Sequence, residues 1–221
     1  RSYLDDLMLY SNLLKRRNAL LKAFADQRYF NSLLLESVSA GMYAPAQRIF
    51  EKRKAQVAQM QDIFTETYAE ISGQRESCSI TYESQLYTDD LESLMKKILD
   101  KDMILSRTSF GIHKDDLIFT MNGEPLKHFA SQGQLKSFVL SLKLTQYKLL
   151  EANSGKKPVL LLDDIFDKLD PSRVKHLLSL LLDNNFGQVF ITDTNEDRMV
   201  KVLKEIDTEY SIFTVDCGTI S

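Results

Sequence analysis

The chain has 221 residues, 43% of them hydrophobic and 27% charged, which is enough apolar material for one large or two small cores. That composition excludes collagen-like, mucin-like and disordered chains, and no apolar run approaches the roughly 18–20 residues of a membrane-spanning helix. A formal charge of −3 excludes a globally basic protein, and two cysteines, Cys78 and Cys217, are too few for a disulfide scaffold and suit a reducing, cytoplasmic setting.

The chain begins at Arg1, without an initiator Met or a signal-like apolar segment, and is therefore expected to be a piece of a longer protein. Of its eight glycines, none lies in a phosphate-cradling G-x-x-x-x-G-K-[ST] loop. The single Gly-Lys pair, Gly155-Lys156, has Leu150 where such a loop needs its first Gly.

Charge divides the chain, with a balance of +3 over residues 1–75 and −6 over residues 76–221. Composition turns at the same place, which predicts a helical hairpin arm over 1–75 and an α/β domain over 76–221. Residues 3–38 and 44–71 are rich in good helix formers, and Ser39-Ala40-Gly41-Met42-Tyr43-Ala44-Pro45 predicts the turn between two long helices. Ile49, Val57, Met60, Ile63, Phe64, Tyr68 and Ile71 recur at spacings near three and four, giving one apolar stripe on the second helix.

Beyond Gly73 the pattern is mixed. Ser79–Tyr82 predicts a strand, and Thr88–Leu99 a helix capped by Thr88. Leu117–Met121 followed by Asn122-Gly123 predicts a strand entering a hairpin turn. Lys127–Ala152 predicts a long helix, then Pro158–Leu162 a strand, Ser172–Leu182 a helix, Gln188–Thr192 a strand, Glu196–Ile206 a helix and Ser211–Val215 a strand. Continuous apolar strands alternating with amphipathic helices predict a partly parallel sheet covered on both faces.

Two stretches carry chemistry. Val159-Leu160-Leu161-Leu162 ends in Asp163-Asp164, and ligands gather beyond the carboxyl ends of parallel strands. Adjacent carboxylates there suit Mg²⁺, with waters and substrate phosphates completing the octahedron. A Walker B element, a receiver-domain phosphoacceptor and a metal-dependent nuclease all fit this stretch, as does a plain cap beside a solvated Asp. Ahead of it, Ser131-Gln132-Gly133-Gln134 opens a helix with Ser131 as N-cap and Gln134 as capping-box partner. Gly133 permits close approach to a helix start whose free N–H groups favour phosphate, although an ordinary capped helix reads the same way.

Taken in order, Gly111-Ile112-His113-Lys114-Asp115-Asp116-Leu117, Ser131-Gln132-Gly133-Gln134, Leu142-Lys143-Leu144 and Leu161-Leu162-Asp163-Asp164-Ile165-Phe166-Asp167-Lys168-Leu169-Asp170 resemble the RecF family of bacterial DNA replication and recombinational repair ATPases. The family pattern reads approximately GPHRDDL, SQGQ, LKLA and LLDDVFSELD. Ile112, Lys114 and Asp167 depart from it, standing where Pro, Arg and Ser are usual.

The resemblance implies the C-terminal lobe of an ABC-type, SMC-like ATPase with a helical arm, its Walker A loop lying before Arg1. It implies ATP and Mg²⁺ as cofactors of the full-length protein, with Asp163 holding Mg²⁺ through water and Asp164 acting on the attacking water. Ser131, Gln132, Gly133 and Gln134 would close on the γ-phosphate of a partner's ATP in an ATP-dependent homodimer, and Asp170 of the D-loop would couple the two sites. Thr192 and Asp193 stand where the superfamily often places a γ-phosphate-sensing His. DNA, single-stranded or gapped, and recombination mediator proteins are the implied partners, in repair and the SOS response, with no membrane. This stretch alone is expected neither to bind ATP tightly nor to hydrolyse it.

Other readings are open from the residues alone: a non-catalytic interaction module, or a Mg²⁺-dependent phosphotransfer or nuclease domain. His113-Lys114-Asp115-Asp116 read equally as a polar turn. Lys15-Arg16-Arg17 and Lys52-Arg53-Lys54 could contact DNA phosphates but read first as solvated helix faces. His113, His128 and His176 and the two cysteines lack zinc spacing.

Overall fold

The computed structural model describes residues 2–27, 29–166, 169–183, 186–194, 200, 209–216 and 218–220. By contact they fall into two units, Arg1–Asp62 with Ser79–Thr120, and Ile63–Cys78 with Met121–Ser221. Among the described residues no helix is long and apolar enough to cross a membrane.

In the first unit, α1 (Tyr3–Gln27) runs antiparallel to the start of α2 (Ser32–Ser72). Arg17 Nε donates to Ser39 Oγ at 3.0 Å, Arg48 grips Asp6 through two bonds of 2.9 and 2.6 Å, and Arg53 Nε reaches Tyr3 Oη at 3.1 Å. Partners on α2 therefore climb as those on α1 descend.

The turn is not at Ser39–Pro45 as expected. Asn31 starts α2 instead, its Oδ1 accepting from Leu34 N–H at 3.0 Å, and Pro45 lies inside the helix. Pro45 removes one helical hydrogen bond, at a cost of about 3 kcal/mol. Met42, Ile49 and Phe50 flank it fully buried, each contributing roughly 1.5–3 kcal/mol, so the continuous helix wins. Gly41 serves packing rather than a turn, because a Cβ there would meet Leu13 Cδ1 at 3.2 Å.

The same unit holds β1 (Cys78–Glu83) from Ser79 onward, α3 (Leu91–Lys97), α4 (Leu99–Leu105) and most of β2 (Asp116–Met121). The helix expected from Thr88 begins later. Asp90 is its N-cap, accepting from Ser93 N–H at 2.8 Å, because a carboxylate caps better than Thr. Thr88 closes a 3-10 turn at Gln85–Tyr87 instead.

The Gly111–Asp116 motif is a structural turn in this fold. Gly111 has φ +120°, and a Cβ there would lie 2.5 Å from Tyr10 Oη. His113 Nδ1 lies 2.9 Å from Tyr10 Oη, and its Nε2 lies 3.4 Å from the Thr108 carbonyl. A carbonyl only accepts, so Nε2 carries the proton and Nδ1 accepts from Tyr10. Asp115 takes hydrogen bonds from Tyr82 and from Arg53 Nη1, the latter at 3.1 Å.

Burial, with Lys114 nearby, holds His113 below its ordinary value of 6.5, against the opposing pull of the Thr108 carbonyl. The unfolded chain then binds more protons than the folded one, so stability is fully present above about pH 6.5 and declines as pH falls below it. Urea midpoints should therefore drop from pH 7.5 to 5.5. His113→Gln should lower the midpoint at pH 7.5 and flatten that slope; an unchanged slope would exclude His113 as its source.

In the second unit, Asn122 and Gly123 have φ of +51° and +85°, as the expected hairpin turn demands, and lead into β3 (Glu124–Pro125). The helix expected over 127–152 is two helices, α5 (Leu126–Phe129) and α6 (Gln132–Ser154). Extended Ala130 ends the first, and the Ser131 cap starts the second. Next come β4 (Leu160–Asp163), α7 (Pro171–Asp183) and β5 (Val189–Thr192).

Strands β4 and β5 pair in parallel, Leu160 opposite Val189 and Asp163 opposite Thr192. Leu160 and Leu162 join Leu140, Leu144 and Tyr147 of α6 and Leu177, Leu178 and Leu181 of α7 in one core. Only that face is covered among the described residues. Leu161 is 68% and Phe190 47% exposed, because α6 and α7 both pack on the side of Leu160 and Leu162. The strand expected at Ser211–Val215 shrinks to β6 (Val215–Asp216), paired antiparallel with β7 (Thr219–Ile220) about Gly218. The helix expected over Glu196–Ile206, apart from Val200, and the residue Cys217 lie outside the described residues.

Candidate functional site

The carboxyl end of β4 follows strand alternation, which puts Leu161 and Asp163 on the exposed side. The chain then leaves the strand at Asp164 with φ +45°, a left-handed conformation that Asp tolerates better than most residues at a cost on the order of 1 kcal/mol. Two bonds hold it there: Asp164 N–H donates to Thr192 Oγ1 at 3.2 Å, and Lys136 Nζ donates to the Asp164 carbonyl at 2.6 Å. The Thr192 hydroxyl in turn donates to Asp163 Oδ1. One hydroxyl thus ties both acidic residues, while their side chains face solvent.

The first turn of α6 is equally defined. Ser131 Oγ accepts from Gln134 N–H at 3.3 Å, and Gln134 Oε1 accepts from Ser131 N–H at 2.7 Å, which is the expected capping box. Ser131 and Gln132 are exposed and Gly133 half-buried. The early N–H groups of the helix, at Gln132 and Gly133, have no intrahelical acceptor.

Asp170 caps α7. Its Oδ1 accepts from Ser172 N–H and Arg173 N–H, both at 3.0 Å, and from Ser172 Oγ at 2.6 Å. The Ser172 hydroxyl foremost holds the Asp170 carboxyl below the usual carboxylate range. Asp167 and Lys168, also read as D-loop positions, lie outside the described residues. Asp193 follows β5 half-buried.

Two residues without a sequence signal join these parts. Gln134 Nε2 donates to Glu76 Oε1 at 2.9 Å, and Arg173 Nη2 donates to the same oxygen at 2.6 Å. Arg173 also donates from Nη1 to Ser137 Oγ at 3.0 Å and from Nε to Asp170 Oδ2 at 3.2 Å. Burial pushes the Glu76 carboxyl up, but hydrogen bonds from Tyr68, Gln134 and Arg173 outweigh it and leave the carboxyl below its ordinary range.

The donor set at β4 fits Mg²⁺, which takes one or two carboxylates and completes its shell with water and phosphate oxygens. Among the described residues no three His, Cys, Asp or Glu side chains converge into an all-protein metal site. The basic clusters are partly structural. Arg17 is buried against Asp102, and Arg53 is bound to Asp115 and the Ile112 carbonyl, whereas Lys15, Arg16, Lys52 and Lys54 are exposed.

No family model matches the sequence. Curated relatives do. The DNA replication and repair protein RecF of Cytophaga hutchinsonii is 40% identical over 218 residues, covering 99% of this chain and 58% of that protein. RecF of Flavobacterium johnsoniae is 42% identical over 214 residues, covering 97% and 60%. A solved structure of the recombination mediator protein RecF with ATP, in the RecFOR pathway, has a TM-score of 0.75 at 28% identity, covering 99% of this chain and 58% of that one. The chain is a RecF homologue. It spans about three fifths of the length of the RecF proteins it matches. The α/β fold with a partly parallel sheet and a helical hairpin, expected from the sequence, matches the RecF structure over 99% of this chain. The turn at Asp164, the Thr192 tie and the capped start of α6 lie within the stretch that matches RecF.

Proposed function

We propose that this chain is the signature-bearing part of a RecF ATPase, a cytoplasmic protein that binds DNA in replication and recombinational repair. One observation supports it most. The Ser131 turn and the Asp163-Asp164 pair, each fixed by hydrogen bonds of its own, sit in a chain 99% of which matches 58% of a RecF structure with ATP.

In this proposal Asp163 and Asp164 face the nucleotide held by the same subunit. Asp163 would hold Mg²⁺ through water, the ion supplying charge stabilisation to the phosphates. Asp164 orients the attacking water, and the Thr192 hydroxyl keeps both carboxylates aimed. Asp193, next along, is the second candidate for sensing the γ-phosphate. Ser131, Gln132, Gly133 and Gln134 close over the γ-phosphate bound by the other subunit of an ATP-dependent homodimer, where the helix start offers N–H donors and a favourable dipole. Asp170 lies on the path between the two sites. Catalysis then rests on positioning and electrostatics. Lys15, Arg16, Lys52 and Lys54 are the exposed cations available to DNA phosphates, and recombination mediators are the expected protein partners.

Ser131→Arg in the full-length protein tests this. Arg fills the space for a phosphate and should abolish ATP-driven dimerisation in light scattering, with ATP binding by the monomer within about twofold of wild type, because Ser131 faces the nucleotide of the other subunit and not its own. Normal dimerisation of Ser131→Arg would refute the signature-motif assignment.

A further inference from the structure

We infer that the Glu76–Arg173 pair is a positioning device that locks the signature turn of α6 to the D-loop carboxylate Asp170, so that the two move as one element; the inference rests on the RecF reading above. The hydrogen bonds are continuous. Gln134 holds the Ser131 N–H with Oε1 and gives its Nε2 to Glu76, Glu76 takes Arg173 Nη2, and Arg173 Nε takes Asp170 Oδ2. Gln134 therefore cannot leave Glu76 without disturbing the capping box. Arg173 likewise cannot turn away without releasing Glu76, Ser137 and Asp170 together.

Burial gives the pair stiffness. Arg173 is 8% and Glu76 11% exposed at the side chain, so neither charge is readily replaced by water. Tyr68 donates to the second Glu76 oxygen at 2.5 Å, which fixes the carboxylate to the last turns of α2. The guanidinium fork meets three acceptors in three directions, a geometry that a Lys ammonium on a flexible stem does not reproduce. A clamp needed only to join α6 to α7 would not require contact with Gln134 at one end and Asp170 at the other, the two positions that face nucleotide and partner in the proposed dimer.

The consequence is a split that a structural role alone would not give. In the full-length protein, Arg173→Lys should leave ATP binding by the monomer within about twofold, yet weaken ATP-driven dimerisation and ATP turnover roughly ten- to a hundredfold, the scale of misplacing an oriented group. Glu76→Gln, which keeps an acceptor oxygen for Gln134 and Arg173, should retain more of both than Arg173→Lys. A Glu76→Met, Arg173→Met double variant removes both buried charges at once and guards against simple unfolding. It should stay folded, melting somewhat below wild type because the buried Tyr68 hydroxyl loses its acceptor, and still dimerise poorly. Wild-type dimerisation by Arg173→Lys or by the folded double variant, beside a Ser131→Arg control that fails to dimerise, would overturn the clamp alone. If the Ser131→Arg control itself dimerises normally, clamp and signature reading fall together.

Discussion

Arg17→Ala should destabilise the protein by about 3–5 kcal/mol, the cost of stranding one partner of a buried ion pair. Arg17 and Asp102 have side chains 1% and 0% exposed, with Nη1 and Oδ2 2.7 Å apart. Arg17 also reaches Thr108 Oγ1 at 2.7 Å and Ser39 Oγ at 3.0 Å, while Asp102 Oδ1 accepts from Ser109 N–H and Oγ at 2.8 and 2.7 Å. Removing the guanidinium leaves the carboxylate with two neutral donors and no countercharge. Asp102→Ala is the mirror experiment, leaving a buried cation held only by hydroxyls. Arg17→Met with Asp102→Leu should recover part of the loss, because no charge is then stranded. Recovery stays incomplete, since the Ser109 N–H and hydroxyl lose their acceptor. Urea unfolding at constant m-value measures all three. A loss below about 1 kcal/mol for Arg17→Ala would mean that the pair is solvated, as exposed pairs are.

Arg17 also marks where the sequence stopped being informative. Lys15-Arg16-Arg17 looks like a solvated basic run, and two of its three members are exposed. The third is buried by Asp102, a partner 85 residues away that no local pattern announces. The same limit hid Glu76 and Arg173, 97 residues apart. What was legible was local. Asn122-Gly123 carries its turn in its own dihedral preferences, Ser131 and Gln134 cap each other across three residues, and the acidic pair is placed by the end of an apolar run. Gly41 and Pro45 misled because each has two uses. A turn is the commoner one, but a long helix packed through Met42, Ile49 and Phe50 can absorb the proline and use the glycine for close contact with Leu13. The left-handed backbone of Asp164 had no signature either, since it depends on Thr192 from β5 and Lys136 from α6.

That backbone decides how Asp164 should be probed. In the full-length protein Asp164→Asn should lower ATP turnover by roughly 10²–10⁴-fold, the usual worth of a positioned general base, while ATP-driven dimerisation persists. Asn is the replacement that separates chemistry from structure, because it shares the tolerance of Asp for φ near +45° and leaves the bonds to Thr192 Oγ1 and Lys136 in place. Asp164→Ala would add backbone strain to the lost carboxylate and mix the two effects. Asp163→Asn should behave differently. Its Oδ1 can still accept from Thr192, but the lost charge weakens Mg²⁺ binding, so its turnover should be partly restored by raising Mg²⁺. Asp164→Asn should show no such restoration. Equal rescue of both variants by Mg²⁺ would place the two carboxylates in one metal shell and remove Asp164 from the role of orienting water.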